Sequence, residues 1–166
     1  TASYDSVSFF TAEDTTPTAV AFTPDGTRMF LTGVRFDGVH QYTLTSAFDI
    51  STASYDSVSL DTSPEGQFSS GIAFNNDGTK MFLASSTATF AVINQYSLST
   101  GFDLSTASYD NISFDVQSQS ETPMDMKFNS DGSKMFVIGF GSKNIDRYTL
   151  NNPFDITTAS YDNVSI

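Results

Sequence analysis

Phe74-Asn-Asn-Asp-Gly-Thr-Lys-Met-Phe82 is a turn set between two apolar segments, and its reading decides the fold. Asn, Asp and Gly tolerate the backbone angles that a tight reversal needs, so Asn75-Asn-Asp-Gly78 is a strong hairpin signal. Ser70-Gly-Ile-Ala-Phe74 leads in and Lys80-Met-Phe-Leu-Ala84 leads out, both short and β-prone. The same pattern stands at Phe22-Thr-Pro-Asp-Gly-Thr-Arg-Met-Phe30 and at Phe128-Asn-Ser-Asp-Gly-Ser-Lys-Met-Phe136. Its aspartates, Asp25, Asp77 and Asp131, lie 52 and then 54 residues apart. The chain is a tandem repeat, and a period of this length governs the architecture.

Outward from the hairpin, Ile93-Asn-Gln-Tyr-Ser-Leu98 and Ser108-Tyr-Asp-Asn-Ile-Ser-Phe114 alternate apolar and polar residues, as half-buried strands do. Each repeat therefore predicts four antiparallel strands, A to D, with no helical period. The last of them belongs to a second motif written four times: Thr1-Ala-Ser-Tyr-Asp-Ser-Val-Ser-Phe9, Thr52 to Leu60, Thr106 to Phe114 and Thr158 to Ile166. In chain order this gives one leading D strand and three full ABCD sets, thirteen strands in all. The expected fold is all-β, a propeller of four-stranded antiparallel blades, with three blades per chain plus one extra outer strand. The leading strand is expected over residues 1–10, and the blades over 18–60, 70–114 and 123–166, all in one domain.

The hairpin Phe-x-x-Asp-Gly-[Thr/Ser]-[Lys/Arg]-Met-Phe resembles the repeat of the WD40-like, YVTN and NHL β-propeller families. The resemblance runs through all three repeats and implies fold and not activity, since those families include enzymes, adaptors and binding modules. The chain departs from WD40 proper in having no Trp.

Nineteen acidic against seven basic residues give a formal charge of −12, which argues against nucleic-acid and anionic membrane partners. No apolar run approaches the ~20 residues of a membrane helix. With no cysteine there is no disulfide and no thiolate chemistry. A leader peptide is read as absent or trimmed, because Thr1 already lies inside a repeat; an extracellular or surface location is favoured. The acidity follows mostly from the repeat. Sixteen of the acids are Asp, and ten of these sit in repeated slots: Asp25, Asp77 and Asp131; Asp49, Asp103 and Asp155; Asp5, Asp56, Asp110 and Asp162.

Those slots are read as turns and caps rather than calcium loops, which need acids at alternate positions and a final Glu. His40, the single histidine, corresponds to Asn94 and Asp146, so its slot is read as exposed and polar, with no catalytic triad. Glu13, Asp14, Glu65 and Glu121 fall in the D–A connections without a readable pairing. No catalytic residue, metal ligand or cofactor is assigned.

The D–A and B–C connections vary between repeats, whereas the other two kinds hardly change. In an up-and-down blade these variable connections share one face, which makes that face the candidate binding surface. Each B–C connection carries one ring, Phe36, Phe90 or Phe140, expected either to stack on a glycan or protein ligand or to cover the core. Asp125 and Lys127 replace small residues on the third strand A, expected to line a central channel, and are read as an ion pair or a channel site.

Three blades leave two apolar blade faces open, and such faces drive association. The favoured function is a non-catalytic propeller module for ligand or protein binding and self-assembly, closing a six-blade ring as a homodimer. A lactonase- or glycosidase-like propeller enzyme with a channel site, and a structural segment of a longer repeat array, are the alternatives.

Overall fold

The computed structural model describes residues 3–35, 37–87, 89–141 and 144–166. Its strands form three antiparallel sheets of four. The first holds β1 (Pro17–Phe22), β2 (Arg28–Gly33), β3 (Gly38–Leu44) and β4 (Ala53–Asp61); the second holds β5 (Ser69–Phe74), β6 (Lys80–Ser86), β7 (Ala91–Leu98) and β8 (Ala107–Asp115). The third holds β9 (Pro123–Phe128), β10 (Lys134–Gly139), β11 (Ile145–Leu150) and β12 (Ala159–Ser165). In each sheet the spatial order is the chain order, as in an up-and-down propeller blade.

The innermost strands β1, β5 and β9 lie side by side across the three sheets. Their approach is close enough to need glycine: a Cβ on Gly71 would stand 2.6 Å from the Asp125 Cα. Between the sheets lies the core. Phe30 of β2 packs on Phe74 of β5, and Phe82 of β6 packs on Phe128 of β9, both at 4.7 Å between ring centroids. The residues that fill these layers are the apolar repeat positions, among them Ile72, Met81, Leu83, Met126, Met135 and Val137, all buried.

The connection after each third strand is locked to the hairpin turn beside it. Phe48, Phe102 and Phe154 donate their N–H groups to the carbonyls of Gly26, Gly78 and Gly132 at 2.9, 3.1 and 3.0 Å. Each then enters a single 3-10 turn capped by an aspartate: Asp49, Asp103 and Asp155 accept from the N–H two residues on at 3.0, 3.1 and 3.1 Å. The outermost strands carry a bulge at Ser57, Asn111 and Asn163, with φ of 58°, 57° and 53°, where the register against β3, β7 and β11 shifts. Asp56 and Asp110 beside the bulge accept from Gln41 and Gln95 Nε2 at 2.8 Å, and Asp162 from Arg147 Nε at 2.6 Å. The repeated aspartates thus serve turns, caps and bulges.

The leading strand expected over residues 1–10 is not formed among the described residues: residues 3–16 pair with no strand. Strand structure needs an edge to bond to, and none of the described strands offers one to this copy of the motif. The segment nevertheless keeps features of its paired relatives. Ser6 has φ 64°, as at the three bulges, and Phe9 meets Tyr42 edge-on at 5.4 Å, as Phe114 meets Tyr148 at 5.3 Å.

Gly78 has φ +72° and lies under the Phe102 ring, which a Cβ would strike. Gly78→Ala is expected to lower stability by about 1–3 kcal/mol, read as a lower urea midpoint at unchanged slope.

Candidate functional site

The face that carries the D–A and B–C connections is organised by one repeated bond. The third strand of each sheet sends up a buried tyrosine whose hydroxyl holds the incoming loop. Tyr42 donates to Glu13 Oε2 at 2.8 Å, Tyr96 to Glu65 Oε2 at 3.3 Å, and Tyr148 to Gln119 Oε1 at 3.3 Å. Burial pushes all three phenols above their ordinary range, and the carboxylates beside Tyr42 and Tyr96 add to it. Burial would raise the Glu13 carboxyl, yet the Tyr42 hydroxyl and the other donors around it hold it lower than usual. Glu13 and Glu65 are therefore loop anchors. Among the described residues neither carboxylate is hydrogen-bonded to a second one.

Under each pinned loop a large and a small side chain face one another. Asp14 fills the space over Gly33, Ser120 the space over Gly139, and in the middle sheet the order reverses, with Gly66 over Ser85. The neighbouring slot on the third strand holds His40, Asn94 or Asp146. All three are buried, which corrects the expectation that His40 is an exposed polar residue; it is 9% exposed. The D–A loop folds over the strand and covers the slot. Asn94 uses the cover, donating to the Glu65 carbonyl at 3.2 Å. His40 has no hydrogen-bond partner on either ring nitrogen among the described residues, nor do Asp14 Oδ2 and Asp37 Oδ1. Its ring packs near Tyr55, 5.9 Å away edge-on. Burial raises the Asp37 carboxyl, with Asp14 and Asp61 reinforcing it.

The three rings expected on this face are separated. Phe36 lies outside the described residues. Phe90 is half-buried in the turn closed by the Thr87 N–H, which donates to the Phe90 carbonyl at 2.9 Å. Phe140 is 77% exposed. It stands at a groove of about 310 Å³ lined also by Gln117, Ser118, Gln119, Glu121 and Gly141.

Asp125 and Lys127 make the expected ion pair, Nζ to Oδ1 at 3.3 Å. Lys127 also donates to the Ile72 carbonyl at 3.1 Å, so it ties the innermost strand of the third sheet to that of the second. Being solvent-accessible, such a pair is worth only about 0–1 kcal/mol. A second groove, at the other end of the inner strands, is lined by Phe22, Phe74, Phe128, Asn75, Asn129 and Lys127. Among the described residues no three His, Cys, Asp or Glu side chains are grouped to hold a metal ion.

No protein-family model matches the chain, and no curated protein matches it. Solved structures do. A putative 6-phosphogluconolactonase from Bacteroides uniformis superimposes with a TM-score of 0.64 at 13% identity, over 90% of this chain and 40% of that one. A second protein of that description, from Bacteroides fragilis, gives 0.65 at 12% identity, over 90% and 38%. A functionally unknown protein from Desulfotomaculum acetoxidans gives 0.63 at 16% identity, over 92% and 42%. The chain has a propeller-type fold. It spans about two fifths of the length of these neighbours.

His40 offers a direct check of the pinned face. Burial, the largest influence, keeps its imidazole neutral to lower pH than the usual 6.5, with Asp14 and Glu13 partly opposing. The unfolded chain therefore takes up the proton first, so stability is present above about pH 6.5 and lost as pH falls. His40→Asn, the residue of the middle repeat, is expected to flatten the pH dependence of the urea midpoint between about pH 6.5 and 5. An unchanged profile would show that His40 is not held neutral.

Proposed function

We propose that this chain is a non-catalytic propeller module that binds a glycan or protein ligand on the face of its D–A and B–C connections. The observation that carries this reading is Phe140, a largely bare ring beside the amides of Gln117 and Gln119, the Ser118 hydroxyl and the Glu121 carboxylate. An apolar plate next to oriented polar groups has the two halves that sugar or peptide recognition needs. The loops are held from beneath by the tyrosine bonds, so the surface is preformed. That lowers the ordering cost of binding. Membership of the WD40-like, YVTN and NHL group of repeats is part of the same proposal and rests on the Asp-Gly hairpin.

A second reading is a lactonase-like propeller enzyme acting on the strand A side. Of the two, it is the one favoured by the structural neighbours, two of which carry a lactonase description. In this chain the residues it would call on are Asp125 and Lys127.

Binding of the wild-type chain to an immobilised glycan and peptide panel tests the first reading. Phe140→Ala is expected to weaken any hit at least tenfold, about 1.4 kcal/mol, while the urea midpoint stays put because the ring is largely exposed. A hit indifferent to Phe140→Ala would move the site elsewhere. For the second reading, hydrolysis of 6-phosphogluconolactone above its spontaneous rate, reduced by Asp125→Asn, is the supporting outcome. A rate equal to the buffer blank counts against it.

A further inference from the structure

Inside the chain, one sheet docks on the next through a contact set that appears twice. The ring of β2 or β6 sits on the inner-strand ring of the next sheet, Phe30 on Phe74 and Phe82 on Phe128, and that ring leans on the connection ring, Phe102 at 5.3 Å or Phe154 at 5.2 Å. A cation beside the first ring reaches the carbonyl of the last: Arg28 Nη1 donates to the Phe102 oxygen at 2.6 Å, and Lys80 Nζ to the Phe154 oxygen at 3.1 Å. Phe30 and Phe82 are both 0% exposed.

The two halves of a third such contact are present and apart. The third sheet offers Phe136, 36% exposed, with Lys134 beside it in the slot of Arg28 and Lys80. The first sheet offers the receiving pair, Phe22 against Phe48 at 5.8 Å, with Phe48 58% exposed and its carbonyl in the place of those of Phe102 and Phe154. Around Phe136 the open face of the third sheet also exposes Met124, Ile138, Ile145 and Val164.

We propose that a second copy of this chain docks head to tail, its Phe136 entering the Phe22–Phe48 pair and its Lys134 donating to the Phe48 carbonyl. The inference goes beyond the binding reading above and stands without it. The occupant is a second copy because the two faces complement each other residue for residue in a pattern the molecule already uses twice. Two such contacts between two copies would make a six-blade ring, within the usual size of closed propellers.

The same alignment gives residues 3–10 a role. In a docked pair the β12 strand of the incoming copy would run where residues 3–10 now lie, because both are copies of one motif and Ile166 matches Phe9. Of the two, β12 is hydrogen-bonded to β11 along its length, whereas residues 3–10 pair with no strand. The segment with no ladder to lose is the one that moves aside. Residues 3–10 are thus a place-holder: Phe9 covers the Tyr42 ring until Ile166 of a second copy replaces it, and docking competes with this cover.

Light scattering coupled to size exclusion tests both parts, at moderate salt and at about 0.5 M, where the repulsion between two acidic chains is screened. The expected result is association that strengthens with salt, tightens at least tenfold on deleting residues 1–9, and disappears in Phe136→Asp and in Phe48→Asp. Mixing the two point variants is expected to restore a pair, since one intact interface remains between them, and this guards against loss by misfolding. A wild type and a deletion variant both monomeric at about 100 µM would overturn the docking. So would association that survives Phe136→Asp, or a mixture that stays monomeric. Weaker association after the deletion would overturn the place-holder role and make residues 3–10 a donated strand.

Discussion

The seating of a second-strand phenylalanine on the innermost strand of the next sheet is the contact on which the rest of this structure depends. Each sheet carries apolar residues toward its neighbour, and the facing sides of adjacent sheets cover one another at two joints. Phe30 and Phe82 provide that cover together with Phe74 and Phe128, and Phe102 and Phe154 brace the receiving rings from the connection. The hairpin turn, the capped 3-10 turn and the glycine beneath each connection ring all serve to place those rings. The repeat is conserved within the chain at these positions because the same geometric problem recurs at each joint.

The opposite end of the molecule obeys a different rule. There the tyrosine hydroxyls pin the D–A loops, but the loop content is free to differ, and the residues beneath trade places: Asp14 over Gly33, Gly66 over Ser85, Ser120 over Gly139. A constant anchor with variable cargo lets one scaffold present three unlike surfaces. Phe140 is accessible while Phe90 is folded into its own turn, although both occupy the same connection.

Strands, turns and sheet order could be read directly, since alternation and the Asp-Gly turns report local geometry that repeats three times. The ion pair of Asp125 with Lys127 could be read as well, because residues two apart on a strand share a face. Two expectations failed for reasons that are not local. His40 is buried because a loop from elsewhere in the repeat folds over its slot, and no pattern around residue 40 encodes that cover. Residues 1–10 carry a faithful strand motif, yet among the described residues they are no strand, since pairing depends on a neighbour and not on the segment itself. The loop face was identifiable by its variability. Which of its rings would be exposed was not, because that depends on loop closure.

The bulges at Ser57, Asn111 and Asn163 bear on a hazard that near-identical repeats create. Three outer strands of almost the same sequence are mutually compatible templates, and a flat rim would let chains zip together edge to edge into fibres. A left-handed residue in the middle of each outer strand, next to an aspartate tied to the strand beneath it, kinks the rim. A foreign strand would meet a ladder out of step. The bulge thus works against edge-to-edge pairing of these look-alike strands.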